Sequence, residues 1–177
     1  MKIDLFSIPI WIGNIDASKV IVKDTDISES FQSDIKTSHG KQNNISEDSL
    51  EYLYSVMINL LDGTISRPYN LQISHIWNNY YKTDDFQEIH THPGSDVSFI
   101  IYKKIKESST VFQNPNYSVI GGYYYRCDRL TKIFGSIDYR PECRENQIVI
   151  FPSFLEHYVK KTSNAITISG NATITIE

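Results

Sequence analysis

A mainly β fold, a barrel or sandwich covered by one main packing helix, is what this sequence predicts, and three observations carry the prediction. The 177 residues lean on Ile, Val, Thr, Tyr and Phe, with 12 Tyr and 8 Phe, the residue types that fit a pleated, half-buried surface. Only one stretch has convincing helical periodicity. From residue 69 onward the chain instead runs in short β-branched and aromatic segments punctuated by turn residues, the pattern of many short strands. The length suits one domain over residues 1–177, and no internal repeat, low-complexity tract or linker divides it.

Taken in order, the opening "MKIDLFSIPIWIG" is apolar but broken by Asp4 and Pro9. Its apolar part is short and no small-residue cleavage site follows, so it reads as a first strand rather than a leader. Residues 23–45 are polar, turn-rich and weakly periodic, and they read as a long loop with one short ordered piece. The helix comes next. Ser46 can cap it, Glu47 and Asp48 suit its first turn, and Leu50, Leu53, Tyr54, Met57, Leu60 and Leu61 recur at three- and four-residue steps before Gly63 ends it. The expected strands are "NLQISHIWNNYY", "FQEIHTH", "VSFIIYKK", "STVFQN", "GGYYYRC", "LTKIFGSIDY", "NQIVIFPS", "HYVKK" and "AITISGNATITIE".

Charge and cysteine usage narrow the function classes. A net charge of -4 supplies no basic field for phosphates, which argues against a nucleic-acid partner and for a small or neutral one. No apolar run reaches the eighteen or more residues a membrane-spanning helix needs. Cys127 and Cys143 are too few for a disulfide framework and not spaced for zinc, which fits a soluble protein of the reducing cytoplasm. The abundance of Ile, Asn, Lys and Tyr hints at an AT-rich genome such as a phage's.

The chemistry concentrates in the histidines. In "QEIHTHPGSD" a strand would place His90 and His92 on one face, about 7 Å apart, and Pro93-Gly94 would stop the strand beside them. Alone, such a pair is more often one solvent-facing and one satisfied core histidine. A second segment, "IVIFPSFLEHYVKK", repeats the arrangement: an apolar strand from Gln147 to Phe151, a break at Pro152, then His157. Three histidines from two strand ends can occupy one face of an octahedral ion and leave the opposite face open to O2 and a chelating ligand. His75 reads as a half-buried, hydrogen-bonded side chain and His39 as an exposed one. Asp96 could add an oxygen ligand, but after Pro-Gly-Ser it more naturally caps the turn.

Together, "LFSIPIWIGNID", "HIWNNYYKTDDFQEIHTHPGSDVSFIIY" and "IVIFPSFLEHYV...AITISGN" resemble the Fe(II)/2-oxoglutarate-dependent oxygenases, in particular a prolyl-hydroxylase-like branch found in bacteria and phages. The resemblance covers most of the chain and is weakest over residues 23–45. It implies a double-stranded β-helix, a jelly-roll or cupin-like barrel, with Fe(II) at its open end and 2-oxoglutarate as a small-molecule co-substrate. The family pattern of His-x-Asp/Glu and a distant His falls on His90, His92 and His157, which the resemblance makes the metal-binding and catalytic residues. A histidine at 92 in place of a carboxylate leaves the ion one unit more positive, which favours a dianionic chelator but alters the redox balance. The arginine that relatives use for the far carboxylate of 2-oxoglutarate is replaced by Ala165, removing a bidentate clamp. Tyr102 matches a tyrosine that holds the same group, and Thr167 should point into the barrel. Lys103, Lys104, Lys160 and Arg126 are candidates for the missing charge, each also readable as a solvated strand-end residue. Trp77, Tyr80, Tyr81 and Tyr123 to Tyr125 either wall the pocket or simply pack the sheets.

Two other readings share this frame. A cupin-type metalloprotein would add Asp96, or an equivalent, to the three histidines and ignore 2-oxoglutarate. A catalytically inactive jelly roll would bind a partner or sugar with no need of the histidines. No motif names the primary substrate or the oligomeric state.

Overall fold

The computed structural model of the chain describes residues 7–23, 27–29, 35–39, 45–118, 136–162 and 164–177. The expected strand at 121–127, with Tyr123 to Tyr125, Arg126 and Cys127, lies outside the described residues, as does most of the one at 130–139. Within them the fold is mainly β, a double-stranded β-helix of two antiparallel sheets with one α-helix. The strands are β1 (Trp11–Asn14), β2 (Ser28–Glu29), β3 (Lys36–Thr37), β4 (Tyr69–Tyr81), β5 (Asp85–His90), β6 (Val97–Lys104), β7 (Thr110–Gln113), β8 (Asp138–Tyr139), β9 (Gln147–Pro152), β10 (His157–Thr162) and β11 (Ala165–Ile176). Seven pair in the order β1-β9-β6-β11-β4-β3-β2, and four in the order β5-β10-β7-β8.

The helix α1 (Glu47–Leu61) starts where expected: the Ser46 side chain accepts from the Ser49 amide, and Glu47 and Asp48 occupy the first turn. Gly63, at φ 75°, takes the left-handed conformation just past its end, which glycine adopts without a Cβ penalty. Leu53, Met57 and Leu61 bury against Ile73, Ile76, Phe99, Ile101, Ile148, Ile150 and Ile168 of the larger sheet. Alternation then fixes what faces the other way. On β6, Phe99 and Ile101 join the helix-side core while Ile100 and Tyr102 join a second cluster inside the barrel with Val149 and Phe151 of β9.

The register of β4 shifts against β11, where Asn171 pairs His75 but Ala172 pairs Ile73, leaving Ser74 as the extra residue. This bulge explains why both Ile73 and Ile76 face the helix. It sets the phase of the rest of the strand, so that Trp77, Asn79 and Tyr81 line the interior cavity. Residues 23–45 also carry more order than a lone short piece. β2 and β3 pair with each other, β3 adds to the larger sheet through Lys36 to Tyr80 and Thr37 to Asn79, and Val22 bridges Ile45. No helix among the described residues is long and apolar enough to cross a membrane.

Candidate metal centre

His90 and His157 are cross-strand partners, the last residue of β5 facing the first of β10. The β5 strand stops at His90, so His92 does not share its pleat as the i, i+2 spacing suggests. It reaches the same point from the following loop, whose path is fixed when the His92 amide donates to the Ser153 carbonyl, 3.0 Å, just past β9. Gly94, at φ 87°, then makes the turn that only a residue without a Cβ makes freely. Ser153 also donates its amide to the Asp96 carbonyl and pairs its hydroxyl with Ser98 at 2.8 Å. The loops after β5 and β9 are thus stitched together at His92 and Ser153.

One ligand atom from each of the three histidines lies within 4.8 Å of the others, forming a site able to hold a metal ion. The Nε2 atoms of His92 and His157 are 3.3 Å apart. Two nitrogens bound at adjacent positions of one ion, with bonds near 2.1 Å, stand about 3 Å apart. The spacing therefore suits a shared ion with little movement.

Tautomers are set by carbonyls. The Nδ1 of His90 lies 2.7 Å from the Glu88 carbonyl and that of His157 3.0 Å from the Leu155 carbonyl. A carbonyl only accepts, so each Nδ1 carries the proton and each Nε2 presents its lone pair, the arrangement that orients metal-bound histidines. His157 is 3% exposed, and its ring packs against Phe151 at 4.7 Å. Burial is the main cause that pulls all three imidazoles below their ordinary value, His92 to about 4 and His157 well down, with His90 adding to the effect on both. All three are neutral at pH 7, the form that binds metal.

The histidines stand at one end of a cavity, partly open to solvent, between the two sheets. Tyr102 and Thr167 both line it and are paired across β6 and β11. Tyr102 donates to Thr110 at 3.0 Å, while Asn79 donates to Ser169 at 3.0 Å and reaches Thr167 at 3.4 Å. Ala165 lines the cavity too, whereas no lysine or arginine does so among the described residues. Lys103, Lys104 and Lys160 are exposed. Trp77 and Tyr81 are wall residues; Tyr80 is not.

Asp96 stands apart from the histidine cluster. Its carboxylate accepts the Ile174 amide at 2.7 Å and so tethers β11 rather than capping its own turn. His75 is exposed rather than half-buried, with Nδ1 against the Ser74 hydroxyl at 3.2 Å. His39 is exposed, as expected, but its ring also meets Trp77 edge-on at 4.6 Å, and Trp77 in turn lies 5.8 Å from His92. That contact depends on β3 joining the sheet, which the polar composition of residues 23–45 conceals.

A jelly-roll barrel with three neutral imidazoles converging at one end of its cavity defines a barrel protein with a candidate metal site. Residues 75–171, more than half the chain, match the family described as "Putative 2OG-Fe(II) oxygenase", and the chain belongs to that family of 2-oxoglutarate–Fe(II) oxygenases. No curated protein matches it in sequence. Solved structures share the fold at low identity. A 2OG-Fe(II) oxygenase family oxidoreductase from Burkholderia pseudomallei aligns at TM-score 0.55 and 10% identity, covering 88% of this chain and 74% of that one. HygX from Streptomyces hygroscopicus, solved with nickel and 2-oxoglutarate, aligns at 0.53 and 8%, covering 94% and 83%. A prolyl hydroxylase from Trichoplax adhaerens, in complex with a peptide fragment, aligns at 0.52 and 12%, covering 78% and 62%.

Proposed function

We propose that this chain is a non-haem Fe(II)- and 2-oxoglutarate-dependent oxygenase in which His90, His92 and His157 hold the metal, with Tyr102 and Thr167 forming the wall along which the co-substrate lies. The observation that carries the reading is the convergence of three neutral imidazoles, two with their Nε2 lone pairs fixed by backbone carbonyls, at one end of the cavity. When bound, the iron supplies O2 activation coupled to oxidative decarboxylation of the 2-oxo acid. The chain's own residues do the rest. The imidazoles offer one ligand face, and the Glu88 and Leu155 carbonyls keep two of them in the binding tautomer. Ser153 holds the His92 loop against β9. Trp77, Ile100 and Phe151 line the cavity with apolar surface, and water exclusion there strengthens every polar contact made inside.

Because Asp96 is committed to the Ile174 amide, a four-ligand cupin-type centre draws no support from the geometry. The test is anaerobic reconstitution with Fe(II), then succinate formation from 2-oxoglutarate on admitting O2, with His157→Ala alongside. Wild-type protein releases succinate and the variant does not. A protein that binds iron but neither binds nor consumes any 2-oxo acid overturns the proposal.

A further inference from the structure

The depth of the cavity is marked out along two strands. On β11, Asn171 pairs with Ser98, whose hydroxyl meets Ser153, the residue that holds the His92 loop. Ser169 stands one step further in and Thr167 the next, each step of two residues covering about 7 Å. On β10, His157 is followed two residues later by Val159, which pairs with Thr110 of β7. Thr110 therefore stands about one such step, roughly 7 Å, from the candidate metal ligands, a span that the five carbons of 2-oxoglutarate bridge when one end lies at the histidines.

The hydroxyl protons of this wall are allotted in a definite order. Thr167 accepts from Asn79 at 3.4 Å and gives its own proton to Tyr81, which passes one to Gln87 at 3.2 Å. Tyr102 accepts from Ser108 at 3.4 Å and gives its single proton to Thr110 at 3.0 Å. Burial, the largest cause, pushes the Tyr102 hydroxyl up to about 12, so that proton stays in place. Thr110 and Ser169 differ from the rest. Both line the cavity, each accepts one hydrogen bond, from Tyr102 and from Asn79, and each keeps its own proton.

The series Ser108, Tyr102, Thr110 thus runs from donor to acceptor and ends on a hydroxyl at the cavity wall with a proton left to give. A hydroxyl that already accepts a hydrogen bond donates more strongly, and a carboxylate, which only accepts, is its complement. Ser169 pairs with Trp77 and Ile100, one step from the level of Asn171, so its proton serves the half of the cavity nearer the histidines. Thr110 serves the deeper half.

We infer that the Thr110 hydroxyl donates to the far carboxylate of the 2-oxo acid and sets the preference for a dicarboxylic co-substrate, with Tyr102 and Ser108 behind it as positioning residues. The inference rests on the proposed 2-oxoglutarate-dependent chemistry. It moves the carboxylate contact from Tyr102, where the family resemblance puts it, to the residue that receives the Tyr102 proton.

The test is calorimetric titration of the Ni(II)-loaded protein, a form that needs no turnover, with 2-oxoglutarate and with 2-oxopentanoate, which carries a methyl in place of the second carboxylate. Thr110→Val should bind 2-oxoglutarate about tenfold or more weaker, the loss expected for a hydrogen bond to a charged group, and 2-oxopentanoate as tightly as wild type does. Thr110→Ser, which keeps the hydroxyl, should bind both acids as wild type does. Tyr102→Phe leaves the Thr110 proton but not its direction, so it should weaken 2-oxoglutarate alone, and by less than Thr110→Val. If circular dichroism shows Thr110→Val unfolded, the double variant Tyr102→Phe/Thr110→Val, which removes both ends of the buried bond, gives the same comparison. Equal losses for the two acids, no loss for either, or a larger loss in Tyr102→Phe than in Thr110→Val overturns the inference and leaves the proposed function standing. Nickel binding with no response to either acid overturns both.

Discussion

Replacing His157 with Ala tests the metal centre through stability, without any assay of turnover. A metal that binds the folded chain at one hundred times its dissociation constant stabilises it by about 2.7 kcal/mol. For a chain of 177 residues, each kcal/mol moves Tm by roughly 2–4 °C, so the wild-type midpoint should rise by about 5–11 °C with Ni(II). His157 is the central ligand candidate: its Cα pairs with that of His90, and its Nε2 lies 3.3 Å from that of His92. Loss of an outer partner of a metal ligand already weakens binding by about 10–100-fold, so loss of the ligand itself should cost at least the upper figure. At the same Ni(II) concentration the variant then sits near its own dissociation constant. The remaining stabilisation is about 0.4 kcal/mol, or about 1–2 °C. The variant also loses a buried ring packed on Phe151, so its metal-free Tm drops, and the quantity compared is the metal-induced rise rather than the midpoint. Differential scanning calorimetry with and without Ni(II), including a chelator control, reads both. A His157→Ala protein whose Tm rises with nickel as far as that of wild type would refute the shared-ion reasoning.

Asp96→Ala should lower stability by about 1 kcal/mol, because the Ile174 amide loses its acceptor, yet keep the full nickel-induced rise in Tm; a collapse of that rise would make Asp96 a ligand. Gly170→Ala should destabilise the fold by roughly 1–3 kcal/mol in urea unfolding, since an added Cβ would clash with the Phe99 ring and approach the His75 carbonyl to 2.7 Å; an unchanged midpoint would contradict the packing. The pH dependence has a definite sign. Burial holds the folded-state pKa values of His90, His92 and His157 below their ordinary 6.5, so below pH 6.5 the unfolded chain binds more protons than the folded one. Metal-free stability should therefore be unaffected by these groups above pH 7 and fall as pH drops from 6.5 toward 4, by up to about 1.4 kcal/mol per pH unit for each ring that stays neutral. Urea titrations between pH 7 and 4.5 would show this, and a midpoint that rises on acidification over that range would count against it.

Much of this fold was legible because its signals are local. The helix announces its own start and stop with Ser46 and Gly63, the strands β6 and β9 are dense runs of Ile, Val, Phe and Tyr, and β11 alternates Ile with Thr and Ser, a pattern that sends one face to the helix and the other to the cavity. His90, His92 and His157 were legible for a related reason: each sits beside a strand end, where a turn leaves a side chain free to face a cavity mouth. What the sequence concealed depends on pairing between distant segments. The strand pair at 28–37 looks like loop because its pleated pieces are two residues long, and only the neighbouring edge of β4 makes them strands. His92 reaches the cluster through a backbone bond to Ser153, sixty-one positions away, rather than through the period of its own strand. The spacing grouped residues that do lie together, but for a reason that does not hold. Asp96 likewise looked like a turn cap until β11 arrived to claim its carboxylate. The Ser74 bulge is the most consequential of these features, since a shift by one residue exchanges the two faces of a strand. Without it Ile76 would turn from the helix-side core and Trp77, Asn79 and Tyr81 would leave the cavity, so the wall opposite the histidines depends on a register that no local pattern in "NLQISHIWNNYY" reveals.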